Sequence, residues 1–152
     1  MMVLDFNRSE RVVTQDMGEV RVQVKLTNAV DEALVNRGLL NPNQLRVHET
    51  QGLVDTGAVR TVLLREILEK LGLRIRGQQM AKYADGRQEA IGLTEPVIIE
   101  IEGRETTEAA LVAGDEVLIG QTVLETLDLL VDRKNQRLIP NPKHPEYPVF
   151  RI

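Results

Sequence analysis

Leu53 and Val54 run directly into Asp55, Thr56, Gly57 and Ala58, and this junction constrains the chain more than any other stretch. Two apolar residues suit a buried strand. A carboxylate where such a strand ends is costly to hold, because burial penalises its charged form unless neighbours donate hydrogen bonds. Gly57 has no Cβ and lets the backbone turn sharply. Thr56 adds a hydroxyl, and the turn adds backbone N–H groups. Asp55 is therefore either poised for chemistry or an ordinary turn carboxylate, since Asp and Gly are both common in turns. The rest of the chain has to decide between the two.

At 152 residues the chain suits one domain with a single core, and 42% hydrophobic with 28% charged residues marks it as a folding chain. It has no cysteine, which excludes disulfides, thiol catalysis and Cys-based metal sites. His48 and His144 are far apart in sequence and are expected at the surface, so neither a metal nor a cofactor is expected. The net charge of −4, with two Tyr, two Phe and no Trp, disfavours nucleic acid as a partner. The segment Met1 to Arg8 carries an acid and an Arg where a leader needs an apolar run, and no stretch approaches a membrane span. The expectation is a cytoplasmic protein with no membrane partner.

Val20, Val22, Val24 and Leu26 alternate with Arg21, Gln23 and Lys25, which predicts a half-buried strand over Glu19 to Thr27. Residues 1–18 lack a period and read as an arm, or as a first strand through Val12 and Val13. Asp31 as N-cap and Gly38 just past the end bracket a short helix, with a strand as the alternative. Asn41-Pro42-Asn43 predicts a turn, Leu45 to Thr50 an extended segment, and Gly52 to Val54 the strand entering the Asp55 turn. Leu64, Ile67, Leu68 and Leu71 fall at helical spacing in the stretch from Thr61, with Gly72 as the stop. Leu73 to Tyr83 is extended, and Ala84-Asp85-Gly86-Arg87 turns it back as a polar hairpin. Such a hairpin is expected to add little to a core and to be free to move. Pro96 to Glu102 and Arg104 to Val112 form a second hairpin. Val117 to Gly120 ends another buried strand, followed by a short helix over Gln121 to Asp128. Leu129–Val131 and Arg137–Ile139 bracket a turn, and Pro140, Pro142, Pro145 and Pro148 keep the tail extended. A buried strand, a Gly-bearing turn and a short helix recur at Leu53–Leu71 and Leu118–Leu127. The pattern predicts a mainly β domain over 19–140, a closed barrel or sandwich with one or two short helices, and a proline-rich tail over 141–152.

Asp55-Thr56-Gly57-Ala58 behind two apolar residues, a helix, an Asp-Gly hairpin, then Leu118-Ile119-Gly120 before a second helix together resemble the retroviral-type (retropepsin-like) aspartic proteases, in particular their small single-domain bacterial members. The order of elements holds from about Glu19 to Pro140. The resemblance implies an aspartic endopeptidase acting on a peptide or protein substrate. It places Asp55, Thr56 and Gly57 in the catalytic motif, and Ala58, Tyr83, Ala84, Asp85 and Gly86 against the substrate. It also implies that the hairpin is a flap, that the Leu118–Gly120 segment crosses and supports the Asp55 loop, and that Thr56 bonds across a dimer axis. Such chemistry needs two carboxylates sharing a proton. This chain has one Asp-Thr-Gly, so the second carboxylate is implied to be Asp55 of another copy in a homodimer. Asp132 follows an apolar run but lacks Thr-Gly and reads as a turn residue. The competing reading is a non-catalytic module of the same fold that serves dimerisation or peptide binding. Two features depart from the viral pattern: Asp85 sits at the flap turn, and the tail is rich in proline. Val149–Ile152 either forms an interface strand or packs on its own subunit.

Overall fold

The computed structural model describes residues 19–152, so the arm at 1–18 and a strand through Val12 and Val13 lie outside the described residues. The alternating segment forms β1 (Arg21–Asn28), with Val24 and Leu26 turned into the core. Its last residue caps α1 (Ala29–Asn36): the Asn28 side chain accepts the N–H of Asp31 at 3.0 Å. The expectation that Asp31 is the N-cap is thus corrected. Its carboxylate is occupied elsewhere, taking the Nε, Nη2 and backbone N–H of Arg46 at 2.8, 2.9 and 3.1 Å. The N–H of Gly38 bonds the carbonyl of Val35, and that of Leu39 the carbonyl of Leu34, which closes the helix as a Schellman motif.

A 3-10 turn (Pro42–Gln44) leads into β2 (Val47–Val54), one continuous strand antiparallel to β1. Beyond the Asp55 loop come β3 (Val62–Leu63) and α2 (Arg65–Leu71). The apolar spacing from Leu64 matches this helix, but Val62 and Leu63, in the stretch from Thr61 before it, are drawn into the sheet as β3. It runs parallel to β8 (Leu111–Val112) and antiparallel to β9 (Leu118–Ile119). Ile67, Leu68 and Leu71 form the buried face of α2, and Gly72 ends it as expected. The polar hairpin is β4 (Ile75–Lys82) and β5 (Gln88–Thr94). The second hairpin is β6 (Val97–Ile101) and β7 (Arg104–Glu108). The strand expected to run on from Arg104 to Val112 breaks after Glu108, and β8 leaves to pair with β5 and β3. Then come α3 (Gln121–Leu127) and a separate ribbon of β10 (Leu129–Asp132) and β11 (Arg137–Pro140).

The nine-stranded sheet, in the order β4-β5-β8-β3-β9-β2-β1-β6-β7, curls into a half-barrel. Three α-helices accompany it among the described residues. The main core packs Val24, Leu26, Leu63, Ile99 and Ile119 against Leu71 of α2 and Leu127 of α3. A smaller cluster joins Leu53, Val62 and Leu118 to Tyr83 and Ile91 of the polar hairpin. That hairpin therefore does contribute to a core, contrary to the reading from its polarity.

The tail packs on its own chain. Buried Arg104 donates to the carbonyls of Leu127, Asp128 and His144 at 2.9, 3.1 and 2.7 Å. The Asp128 carboxylate accepts from Asn141 Nδ2 and the N–H of Val149, and stands 2.6 Å from His144 Nδ1. His144 is held in this cluster rather than lying loose on the surface. No helix among the described residues is long and apolar enough to cross a membrane.

Two outcomes are expected. The Arg46 guanidinium, bonded to Asp31, holds that carboxyl below the usual carboxylate range. The pair therefore contributes fully above the unfolded value of about 3.9, and its contribution is lost as pH falls through the lower folded value. Asp31→Asn should flatten the acid limb of a urea-midpoint profile, and Arg46→Ala should lower stability at neutral pH by about 1–3 kcal/mol. Thr61 is fully buried and its hydroxyl has no hydrogen-bond partner among the described residues. Thr61→Val should therefore raise stability by about 1 kcal/mol in the same assay.

Candidate active site

The parallel pairing of β2 with β9 sets the site, with Leu53 beside Leu118 and Val54 beside Ile119. The N–H of Leu53 donates to Val117 O at 2.9 Å, and the N–H of Asp55 to Ile119 O at 3.0 Å. The ladder thus reaches Asp55 itself, and the carboxylate stands at the last anchored residue of the strand. Asp55 is half-buried. Its Oδ1 accepts the N–H of Gly57 at 3.0 Å and its carbonyl accepts the N–H of Ala58 at 3.0 Å, an Asx-type turn. Gly57 keeps its φ outside the left-handed region, so the turn does not depend on glycine's backbone freedom. Its missing side chain instead leaves the exposed loop bare beside the carboxylate.

The loop then docks on the start of α3. The first N–H groups of a helix have no partner within it. Here Gln121 N–H donates to Ala58 O at 2.7 Å and Thr122 N–H to Val59 O at 3.1 Å. Gly120 permits the approach, since a Cβ there would stand 2.5 Å from the carbonyl carbon of Arg60 and 2.6 Å from its oxygen. The segment expected to support the Asp55 loop is built to do so through backbone contacts.

At the hairpin tip, Gly86 N–H donates to Tyr83 O at 2.9 Å and Tyr83 N–H to Arg87 O at 2.8 Å. Gly86 has φ 89°, so the loop is the three-residue Ala84-Asp85-Gly86 type closed by a left-handed glycine. Asp85 Oδ1 accepts the N–H of Arg87 at 2.9 Å. Tyr83 is only 8% exposed and packs with Leu53 and Leu118, on the strands that flank Asp55. The Arg87 guanidinium lies 4.2 Å from its ring centroid. The Tyr83 hydroxyl donates to Glu89 Oε1 at 2.6 Å. Burial, reinforced by Glu89, pushes this hydroxyl up to about 12, so it remains a protonated donor across the physiological range.

Asp55, Thr56, Gly57 and Ala58 thus share one loop, and the hairpin is docked toward it through Tyr83. Thr56 and Gly57 are exposed, Ala58 is 3% exposed, and Ala84, Asp85 and Gly86 remain in solvent. Thr56 stands at the edge of a groove of about 880 Å³ that Leu124, Leu130, Val149 and Phe150 also line. Asp132 accepts from Asn135 and Arg137 and is a turn residue, as expected. Among the described residues, no three His, Cys, Asp or Glu side chains come together to hold a metal ion.

Glu108 and Thr122 were not singled out from the sequence. Glu108 Oε2 accepts the N–H of Thr61 at 3.2 Å, and Oε1 accepts the Thr122 hydroxyl at 2.9 Å. These partners are 47 and 14 residues away, beyond any local pattern. The one available hint is a hydroxyl residue in the first turn after Gly120.

Gly120→Ala should push the loop off the helix and cost about 3 kcal/mol in thermal or urea unfolding, since neither side of the contact is a flexible side chain.

No curated protein matches this chain. Among solved structures it is similar to EIAV protease complexed with the inhibitor HBY-793, at 29% identity over 50% of this chain and 74% of that one, with a TM-score of 0.42. It is similar to the simian foamy virus (mac) protease at 14% identity over 68% and 90%, TM-score 0.44. It is also similar to the retroviral protease-like domain of Ddi1 from Leishmania major at 15% identity over 81% and 90%, TM-score 0.48. The gag-polyprotein putative aspartyl protease family matches residues 43–126, more than half of the chain, and that match spans β2, the Asp55 loop, the hairpin and Gly120. With Asp55 on a loop clamped between β9 and α3, the chain belongs to the gag-polyprotein putative aspartyl protease family and has a retropepsin-like fold.

Proposed function

We propose that this protein is an aspartic endopeptidase that acts as a homodimer, with the two Asp55 carboxylates meeting across a two-fold axis. The observation that carries this reading is the placement of Asp55 directly after β2, its N–H still bonded to Ile119 O, on a loop clamped by α3, in a chain with a single Asp-Thr-Gly. One such carboxylate cannot act as both acid and base. A pair of them shares one proton and titrates as a unit. The ionised member takes a proton from water as the water oxygen attacks the scissile carbonyl carbon. The protonated member donates to the carbonyl oxygen as charge develops there. On collapse of the tetrahedral intermediate the C–N bond breaks: the carboxyl that took the water proton gives it to the leaving amine, and the other takes one hydroxyl proton, so the pair again shares one proton. No metal or cofactor takes part in this sequence.

An extended peptide would lie between the Asp55 loop and the hairpin and add main-chain hydrogen bonds as a strand does. Support for a second copy comes from exposed Thr56, at the edge of the groove lined by Leu124, Leu130 and Val149. A second reading, a non-catalytic dimerisation or peptide-binding module, is favoured by one observation: Tyr83 seats the hairpin against Leu53 and Leu118.

The test is incubation with a diverse peptide library from acidic to neutral pH, comparing the native protein with Asp55→Asn. The native protein should cleave best on the acid side, and the variant should lose at least about 10²–10⁴-fold in rate. Equal cleavage by both would remove Asp55 from the mechanism. A native protein that is dimeric yet cleaves nothing would leave the binding module.

A further inference from the structure

We infer that Glu108 is a positioning residue for the Asp55 loop, tying the loop's exit to the first turn of α3. The catalytic consequence rests on the aspartic-protease reading above, whereas the anchoring itself does not.

The loop leaves Asp55 and rejoins the sheet at Thr61. Two of its carbonyls, those of Ala58 and Val59, are taken by the N–H groups of Gln121 and Thr122. Glu108, the last residue of β7, adds a tie from a third element. Its Oε2 accepts the N–H of Thr61 at 3.2 Å, and its Oε1 lies 2.9 Å from Thr122 Oγ1. Thr122 Oγ1 also lies 3.0 Å from Val59 O, so its single proton is shared between the two acceptors.

The chemistry of the position calls for two acceptor atoms on one side chain. Thr61 is fully buried, and its backbone N–H would be orphaned without Glu108, at a cost comparable to a lost hydrogen bond. The Thr61 hydroxyl has no hydrogen-bond partner among the described residues, so this residue is held through its main chain. Its N–H goes to Glu108, and its carbonyl accepts the N–H of Leu111 at 2.9 Å. A carboxylate bridges the Thr61 amide and the Thr122 hydroxyl, and no apolar side chain at position 108 can. Reacting groups must be held to a fraction of an ångström, so loosening the loop's exit lowers the rate of the chemical step. Glu108 bonds Thr61 and Thr122 and not the β4–β5 hairpin, so the hairpin's share of peptide binding does not depend on it.

Glutamine separates anchoring from mere bulk. Its amide oxygen can accept from Thr61 N–H, and its NH₂ can donate to Thr122 Oγ1, which frees the Thr122 proton for Val59 O.

The experiment compares native protein, Glu108→Ala and Glu108→Gln by amide hydrogen exchange and by kinetics on a peptide that the native protein cleaves. In Glu108→Ala, the amides of Ala58, Thr61, Gln121 and Thr122 should exchange at least about 10-fold faster, with the β1–β6 ladder unchanged. Its kcat should fall by about 10–100-fold at nearly constant KM. Glu108→Gln should stay near native in both. Native-like exchange in Glu108→Ala would overturn the inference. So would equal acceleration across the whole sheet, a loss confined to KM, or a glutamine variant as impaired as the alanine one. If the native protein cleaves no peptide, the protease reading falls, and the exchange arm alone still decides the anchoring.

Discussion

Two backbone N–H groups at the start of α3 have no partner inside their own helix, and the Asp55 loop supplies it. That one exchange, Gln121 to Ala58 and Thr122 to Val59, joins the second half of the chain to the motif in the first half. It requires a backbone-to-backbone approach that only glycine permits at position 120. It also requires β9 to lie parallel to β2, so that Ile119 O meets Asp55 N–H just before the turn. A carboxylate at the end of a strand is commonplace. A carboxylate whose strand is paired up to its own amide, and whose following loop is clamped by a helix, is preorganised in the sense that catalysis demands.

The rest of the structure keeps α3 in place. Seven residues are too few for a helix to persist alone, so its stability comes from packing and from its ends. Val123, Leu124 and Leu127 bury one face. The loop carbonyls satisfy the N-terminus, and the Arg104 guanidinium satisfies the Leu127 and Asp128 carbonyls at the other end, where a cation also suits the helix dipole. The same Arg104 and Asp128 hold the proline-rich tail against its own chain. The tail's Tyr147, Phe150 and Ile152 stay exposed, and Phe150 lines the groove beside Thr56.

Much of this was legible in the sequence where one face of an element is buried or one residue fixes a turn. The alternation at Val20 to Leu26 marks β1, because only a strand buries every second residue. Gly72 marks the end of α2, and Asp85-Gly86 marks a hairpin. The Asp-Thr-Gly paired with Leu-Ile-Gly carried the family resemblance. Long-range competition hid the remainder. Val62 and Leu63 precede a helical spacing in one apolar stretch, yet they are strand because β8 and β9 claim their ladder. Asp31 suits an N-cap, yet Arg46 claims its carboxylate. Tyr83 sits in a polar segment, yet Leu118 and Leu53 bury it. Glu108 reads as one acid among many until the fold brings Thr61 and Thr122 to it.

The central claim is that Asp55 is half of a site and that a second copy supplies the other half. It is tested most directly by mixing native protein with Asp55→Asn at constant total concentration, after subunit exchange, and measuring peptide cleavage. If the site spans two copies, an equal mixture keeps about a quarter of the all-native rate, because only native–native pairs hold both carboxylates. About half of the rate, in direct proportion to the native fraction, would show that each chain works alone and would contradict the account.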